Sequence, residues 1–372
     1  MHRKSFHRAG YLAASIALIV ALASSACADS VTHILGSAGY KEPLGTPVIL
    51  CQNPTTCERR TSPSFTSINR VWGGTASCRT STNEGQAWAN CTTQPLSSGG
   101  QEFYAEASDG SVLGVGRPAA KLCVIKRSTD NAATWATVFD SATLTCGGAV
   151  SGGTMLKCIS GGRCVFVFRD TATGKANVLE TTDSGQTWTV VFTSAAAFGV
   201  GPGNLTWDGT LGIAPPASVT AGDKSIYSLG ASTWVVSTAW PVDGETCWGS
   251  FIMRADLFAM CYNTARKYHV RNKVGTVINN AWFPNPTLSG NSGGISLSPR
   301  TGIVYSIVSD VPPSGAATMG VHVSQDSGVT FNKMIETAPT NGVSAGDMWQ
   351  SPVSGCYYTS GGSTQPAFVR IC

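Results

Sequence analysis

The sequence has few charged residues. Lysine, arginine, aspartate and glutamate together make up 12% of its 372 residues, which is about half the share of an ordinary soluble domain. The formal net charge is +4, and no basic block follows the N-terminus. Proteins that bind nucleic acid rely on clustered basic residues to neutralise phosphates. We therefore expect no nucleic-acid partner.

Metal ligands are scarce as well. No Cys-x-x-Cys pair occurs, and beyond the first 28 residues the only histidines are His33, His269 and His322. Zinc sites in proteins draw on Cys and His at short, regular spacings. The sequence therefore predicts no metal site and no cofactor.

A long apolar run occurs only at the N-terminus. "YLAASIALIVAL" (11–22) follows a basic start and precedes small residues, which is the pattern of an export signal. Cleavage after Ala28 makes residues 1–28 a signal peptide and residues 29–372 a single domain without a transmembrane helix. Cleavage before Cys27 is the alternative, and it would leave a lipid anchor on that residue. Both alternatives predict a secreted, periplasmic or cell-surface protein, with an outer-membrane lipoprotein as one form.

Cysteine, in contrast, is plentiful. The chain has 13 cysteines, and removal or lipidation of Cys27 leaves twelve. An even number suits an exported protein stabilised by disulfides. Spacing alone does not fix the connectivity, but the twelve fall into neighbouring pairs: Cys51/Cys57, Cys78/Cys91, Cys123/Cys146, Cys158/Cys164, Cys247/Cys261 and Cys356/Cys372.

A short polar pattern that ends in an aromatic residue recurs along the chain. Its copies are "STNEGQAW" (81–88), "STDNAATW" (128–135), "TTDSGQTW" (181–188) and "SQDSGVTF" (324–331). An Asp or Asn at the third position can accept hydrogen bonds from the following backbone, and a Gly at the fifth adopts a positive φ easily. Because alternating segments flank each copy, each is predicted to be a β-hairpin turn whose Trp is buried between sheets.

This pattern resembles the Asp-box, or BNR, repeat of sialidases, xyloglucan-degrading glycosidases, sortilin-type receptors and photosystem assembly factors. The resemblance implies an all-β fold, a β-propeller, in which the box joins the third and fourth strands of a blade and lies away from the ligand face. It assigns a structural role to Asn83, Gly85, Trp88, Asp130, Trp135, Asp183, Gly185, Trp188, Asp326, Gly328 and Phe331.

The spacing of the boxes predicts the number of blades. The first residues of the four copies lie 47, 53 and 143 positions apart, and the longest gap has room for two degenerate copies, at 227–234 and 271–278. Six four-stranded antiparallel blades then end near residue 337. Three strand candidates in the tail, with "SVTHILG" (30–36) as the fourth strand, complete a seventh blade that closes the ring. A six-bladed propeller is the alternative.

Candidate ligand contacts are acids and tryptophans near the face opposite the boxes. Glycoside hydrolysis needs two carboxylates, and the candidates are Asp208, Glu245 and Asp347. The candidate aromatic contacts are Trp207, Trp240, Trp248, Trp282 and Trp349. The alternatives are that the tryptophans belong to the core and that the aspartates form turns.

The sequence lacks the motif that marks a sialidase active site. The Phe/Tyr-Arg-Ile-Pro motif that precedes the first box in those enzymes does not occur. The sequence therefore favours a monomeric binding or scaffold module whose partner is a glycan or an extracellular protein. A glycoside hydrolase, sialidase-like or xyloglucanase-like, with a carboxylate pair on the central face is the alternative.

Overall fold

The structure is a computed structural model of the chain, and the residues that it describes are almost all in strands and tight turns. They are residues 48–51, 64–65, 71–73, 79–81, 89–93, 102–116, 123–146, 156–199, 205–215, 224–230, 233–237, 246–253, 256–262, 268–272, 277–279, 294–297, 304–310, 318–324, 332–336, 345–350, 357–361 and 368–371.

The described strands form seven four-stranded antiparallel sheets, numbered here in chain order. Sheet 1 contains β2 (Ser64–Phe65), β3 (Val71–Gly73), β4 (Arg79–Ser81) and β5 (Ala89–Asn90). Sheet 2 contains β6 (Glu102–Glu106), β7 (Val112–Gly116), β8 (Val124–Ser128) and β9 (Ala136–Asp140). Sheet 3 contains β10 (Leu156–Cys158), β11 (Cys164–Arg169), β12 (Lys175–Thr181) and β13 (Thr189–Ala197). Sheet 4 contains β14 (Thr206–Trp207), β15 (Leu211–Ala214), β16 (Ile226–Leu229) and β17 (Trp234–Val236).

The remaining three sheets follow the same order with one exception. Sheet 5 contains β18 (Thr246–Met253), β19 (Asp256–Tyr262), β20 (Tyr268–Asn272) and β21 (Val277–Asn279). Sheet 6 contains β22 (Gly294–Leu297), β23 (Val304–Asp310), β24 (Thr318–Ser324) and β25 (Asn332–Glu336). Sheet 7 contains β26 (Ala345–Gln350), β27 (Tyr357–Gly361), β28 (Phe368–Ile371) and, as its fourth strand, β1 (Val48–Cys51).

Sheet 7 confirms one prediction and corrects another. The tail supplies three strands, as expected, and a strand from the start of the domain pairs with the last of them. That strand is β1 and not the predicted segment 30–36, which lies outside the described residues. β1 fits because Val48, Ile49 and Cys51 pair directly with β28.

The first strands, called inner strands here, make contacts between neighbouring sheets along two runs of the chain. β2 contacts β6, β6 contacts β10, β14 contacts β18, β18 contacts β22, and β22 contacts β26. Sheets that follow one another in the chain are therefore also neighbours in space along these two runs. Sheets 3 and 4 contact each other through their fourth strands, β13 and β17.

Apolar side chains fill the seams between neighbouring sheets. Along β11, Cys164, Phe166 and Phe168 face the core shared with sheet 2, whereas Val165 and Val167 face the core shared with sheet 4. Successive side chains of a strand point to opposite faces. A strand covered on both faces is therefore apolar at nearly every position, which explains the run "CVFVF".

Disulfides close short segments within the sheets. The structure joins Cys123 to Cys146, Cys158 to Cys164 and Cys247 to Cys261, with Cα–Cα distances of 4.5, 4.1 and 4.0 Å. These are three of the six predicted pairs. Cys91 is also disulfide-bonded, and its predicted partner Cys78 lies outside the described residues, as do Cys57, Cys356 and Cys372.

None of the helices in the described part of the chain is long and apolar enough to cross a membrane.

Candidate functional site

Each sheet has two ends with different connections. The turns between first and second strands and between third and fourth strands lie at one end, called the box end here. The connections between second and third strands and from one sheet to the next lie at the other end, called the opposite end. In sheet 3, residues 159–163 and 182–188 lie at the box end and residues 170–174 at the opposite end.

The turn at 182–188 is built as its sequence predicts. The Thr187 amide and hydroxyl donate to the two carboxylate oxygens of Asp183 at 2.9 and 2.6 Å. The Thr181 hydroxyl donates to Asp183 at 2.7 Å and accepts the Gly185 amide at 3.0 Å. Burial alone would raise the pKa of Asp183, but the hydrogen bonds from Thr187 and Thr181 lower it to about 2. The carboxylate is therefore a structural acceptor.

The copy at 128–135 has the same geometry without a glycine. Asp130 accepts the Thr134 amide and hydroxyl, and Ala132 takes the place of Gly185. Asn131 and Ala132 have φ values of 58° and 62°, a region that costs an L-residue roughly 1–2 kcal/mol. The predicted positive φ is thus a property of the turn and not of the glycine.

The length of the turn separates true copies of the pattern from degenerate ones. Seven residues join the third and fourth strands at 82–88, 129–135, 182–188 and 325–331. Only four residues do so at 230–233 and 273–276, where the degenerate copies are expected. Both degenerate copies do fall between third and fourth strands, but with shorter turns than the box. Trp234 nevertheless lies in the seam between sheets 3 and 4.

Two box turns also tie their sheet to the preceding one. The Ser184 carbonyl accepts the Arg127 Nε at 2.9 Å and the Ser111 hydroxyl at 3.3 Å, both from sheet 2. Trp188 lies in the core shared by sheets 2 and 3 and is 9% exposed. In the copy before it, the Trp135 indole donates to the Thr93 carbonyl, beside sheet 1, at 3.1 Å. The boxes therefore hold the sheets together.

The turn at 159–163 links sheet 3 to sheet 4 at the same end. Arg163 donates to the Gly209 carbonyl at 2.6 Å, forms a 2.6 Å ion pair with Glu180, and lies 5.1 Å from the centre of the Trp207 ring. Trp207 is 7% exposed. The prediction that Trp207 contacts a ligand is wrong, because its ring is part of the core between two sheets.

The position of Asp208 also differs from the predicted one. It lies in the turn between β14 and β15, at the box end, and not near the opposite end. Its carboxylate accepts the Thr210 and Leu211 amides at 2.9 and 2.7 Å. Asp208 is therefore a turn-forming residue, in agreement with the alternative interpretation.

At the opposite end, a buried aspartate joins sheets 2 and 3. Asp170 is 1% exposed. It accepts the Thr145 amide at 3.0 Å, the Thr145 hydroxyl, and the Thr173 hydroxyl at 2.5 Å. Burial alone would raise its pKa, but hydrogen bonds from Thr145 and Thr173 lower it to about 2. Thr145 precedes Cys146, which is bonded to Cys123.

This clamp was not predicted, although the sequence contains a signal for it. "RDTATGK" (169–175) has the Asp, the hydroxyls and the Gly of an Asx-type turn. What the sequence does not show is that Thr145, from the connection between two sheets, donates to the same carboxylate. The clamp fixes part of the end where a ligand is expected.

Three remaining candidates lie on the inner strands, and three lie outside the described residues. Trp248 is the third residue of β18, and Asp347 and Trp349 are the third and fifth residues of β26. Both strands begin at the opposite end. Glu245, Trp240 and Trp282 are outside the described part of the chain.

Several of the described carboxylates are acceptors in structural hydrogen bonds. The pKa values of Asp109, Asp130, Asp170 and Asp183 are all lowered, whereas the general acid of a glycosidase needs a raised pKa. Among the side chains that the structure describes, no group of three or more His, Cys, Asp or Glu could hold a metal ion.

Comparison with solved structures places this architecture among known folds. The family 74 xyloglucanase of Xanthomonas campestris superposes with a TM-score of 0.57 at 12% identity, over 87% of this chain and 53% of that one. The oligogalacturonate lyase of Vibrio parahaemolyticus gives 0.55 at 11% identity, over 87% and 93%. Both are β-propellers. The chain has a β-propeller fold.

The likeness extends to other proteins but stays at the level of the fold. Saccharomyces cerevisiae Sqt1 gives a TM-score of 0.52 at 8% identity, over 86% of this chain and 83% of that one. The chain spans about half the length of the xyloglucanase that it matches. No protein-family model matches the sequence, and neither does any curated protein.

Proposed function

We propose that the chain is an exported, seven-bladed Asp-box propeller that binds glycans at its opposite end. The seven described sheets would be the blades, and the pairing of β1 with β28 would close the ring. The seven-residue turns with their Asp and Trp contacts support the Asp-box assignment. Closing the ring in this way protects the sheet edges that an open array would expose.

Export is supported by the disulfides. Three described cystines suit an oxidising compartment, and residues 1–28 have the pattern of a signal peptide. The mass of the mature N-terminus distinguishes the two forms. A chain that starts at residue 29 is a soluble protein, whereas a chain that starts at Cys27 with acyl groups attached is a lipoprotein.

The observation that favours glycan binding over hydrolysis is that the aspartates named below accept structural hydrogen bonds. Asp183, Asp130 and Asp170 serve turns and the clamp, and Asp208 serves a turn. The clamp also fixes the connection between sheets 2 and 3 at the opposite end, which suits a preformed binding surface. Glycans are the proposed ligand because a xyloglucanase and an oligogalacturonate lyase share the fold.

The test is a glycan array followed by titration calorimetry and product analysis. We expect the purified, disulfide-bonded protein to bind plant-type oligosaccharides and to release neither reducing ends nor unsaturated products. Binding of no glycan would contradict the proposal and favour a protein partner. Release of reducing ends that is lost in Asp347→Asn would instead support the hydrolase, in which Asp347 is one carboxylate of the pair.

A further inference from the structure

Two of the described disulfides join residues that face each other directly in neighbouring strands. Cys158 of β10 pairs with Cys164 of β11, and Cys247 of β18 pairs with Cys261 of β19. Each bridge links the first and second strands of its sheet, and the Cα–Cα distances are nearly equal, 4.1 and 4.0 Å. Backbone spacing therefore does not distinguish the two bridges.

The two bridges differ in their accessibility to solvent. Cys158 is half-buried, at the end of a strand of three residues, whereas its partner Cys164 is fully buried. Cys247 and Cys261 are both fully buried, and both cysteines of the remaining described bridge are buried as well. Thiol–disulfide exchange requires a thiolate to reach one of the two sulfurs. Among the described bridges, only the one in sheet 3 has a half-buried cysteine.

The five-residue turn that this bridge closes, between β10 and β11, is also held by other contacts. The Gly162 amide donates to the Ser108 hydroxyl of sheet 2 at 2.8 Å, and the Gly162 carbonyl accepts the Ser184 amide at 2.7 Å. On the other side, Arg163 donates to the Gly209 carbonyl of sheet 4 at 2.6 Å. Because the turn is fixed from both neighbouring sheets, opening of the S–S bond leaves the hairpin in place.

We propose that Cys158–Cys164 is a thiol–disulfide exchange site that a dithiol opens while the protein stays folded. One thiolate of the dithiol attacks Sγ of Cys158, the S–S bond breaks, and its electron pair goes to Sγ of Cys164, which takes up a proton. The second thiol of the reductant then displaces Sγ of Cys158 from the mixed disulfide. The protein gains two electrons and two protons, and the dithiol becomes a disulfide. This inference does not depend on glycan binding.

Opening of the bridge has a local consequence at the end of β10. This strand has three residues and contacts β6 of sheet 2. The Ile159 amide, next to Cys158, donates to the Arg163 carbonyl at 2.9 Å. Without the covalent bond the end of the strand opens more often, so this amide exchanges its hydrogen faster. The bridge thereby makes the order of one strand end depend on the thiol reductants around the protein.

The experiment is a time course of reduction of the full, oxidised protein with dithiothreitol near pH 8, without denaturant. Samples are quenched in acid, alkylated and digested with trypsin, which cleaves on both sides of residues 158–163 and so separates the two cysteines of the site. We expect them to be labelled at least about tenfold faster than Cys247 and Cys261, the matched bridge. The circular dichroism of the strands should stay unchanged, and the Ile159 amide should exchange faster after reduction.

A monothiol identifies the sulfur that is attacked. Glutathione should form its mixed disulfide on Cys158, the half-buried cysteine, and not on Cys164. A mixed disulfide on Cys164 would overturn the proposed direction of attack. Equal labelling rates at the two matched bridges, or labelling that begins only as the circular dichroism is lost, would overturn the exchange site itself.

Double alanine variants test whether the fold can do without the bridge. Cys158→Ala with Cys164→Ala should stay folded and lose less melting temperature than Cys247→Ala with Cys261→Ala. The first pair is six residues apart and the second fourteen, so the first bridge closes a shorter loop and restricts the unfolded chain less. A larger loss in the first variant would show that the turn contacts do not hold the hairpin, which contradicts the proposal.

Discussion

The two ends of sheets 2 and 3 are held together in different ways. At the box end, the Ser184 carbonyl accepts hydrogen bonds from Arg127 and Ser111, and Trp188 fills the seam. At the opposite end, the carboxylate of Asp170 accepts from Thr145 of the incoming connection, next to the Cys123–Cys146 disulfide. The first set belongs to a repeated motif, whereas the second occurs at one place in the described structure.

The difference shows what repetition can and cannot provide. A turn that recurs with the same length can seal several seams, because these seams present similar pairs of sheet faces. A ligand, in contrast, needs a surface that differs from one sheet to the next. The Asp170 clamp, which is not repeated in the described structure, lies at the opposite end.

The largest effect is expected from removal of the indole at the box end. Trp188→Ala should lower the free energy of unfolding by about 3–5 kcal/mol, because it leaves a cavity between sheets 2 and 3. Trp188→Phe should lower it less, since Phe331 holds the same position in another box. Trp135→Ala, at a half-buried tryptophan, is the matched control with a smaller loss. Urea unfolding measures all three, and a loss below about 1 kcal/mol for Trp188→Ala would refute the sealing role.

A smaller effect on stability is expected from substitutions at the fifth position of two box turns, Gly185 and Ala132. Gly185→Ala should destabilise by about 2–3 kcal/mol, because a Cβ would approach the buried Leu113 Cδ2 to 2.3 Å at a φ of +81°. Ala132→Gly should change stability by less than about 1 kcal/mol, since relief of the positive φ offsets the lost methyl group. Thermal melts of both variants test the pair. Equal losses would mean that the turn alone, and not the contact with sheet 2, sets the requirement.

The smallest effect is expected at the opposite end and depends on pH. The pKa of Asp170 is about 2 in the folded protein, below its ordinary value near 4. Its contribution, about 2 kcal/mol, is therefore present above pH 4 and is lost as the pH falls toward 2. Asp170→Asn should lower stability at neutral pH and remove that part of the acid dependence.

Urea unfolding between pH 5 and pH 2 measures the dependence, and hydrogen exchange of the Thr145 amide reports the clamp itself. Asp208→Asn, an exposed aspartate in a turn at the box end, serves as the comparison. An acid transition that is the same in Asp170→Asn and in the unmodified protein would show that other carboxylates control it.

Much of the fold follows from local sequence rules. The three tail strands and the connections at the four box copies lie where the pattern predicts them. Asp183 and Thr187 interact within one turn, so spacing alone is enough to place them. The errors concern partners that are distant in sequence. The segment 30–36 and β1 are both plausible strands, and only pairing with β28 chooses between them.

The candidate site was predicted less well, for the same reason. Trp207 and Asp208 have the residue types of a sugar site. Trp207 instead packs in the core beside Arg163, and Asp208 accepts backbone hydrogen bonds in a turn at the box end. Trp248 and Asp347 were singled out by an acid next to a tryptophan. Their place at two bulges could not be foreseen, because a bulge is a relation between two strands.

The sequence by itself determined most of the strands, the positions of the repeated turns and three of the cystines, since these depend on residues close together along the chain. Tertiary structure alone decided which strand completes sheet 7, which tryptophans belong to seams, and which acids support turns. Those outcomes depend on contacts between distant residues, such as Thr145 with Asp170 and Thr206 with Ser250. The energies of such contacts exist only once the sheets have come together.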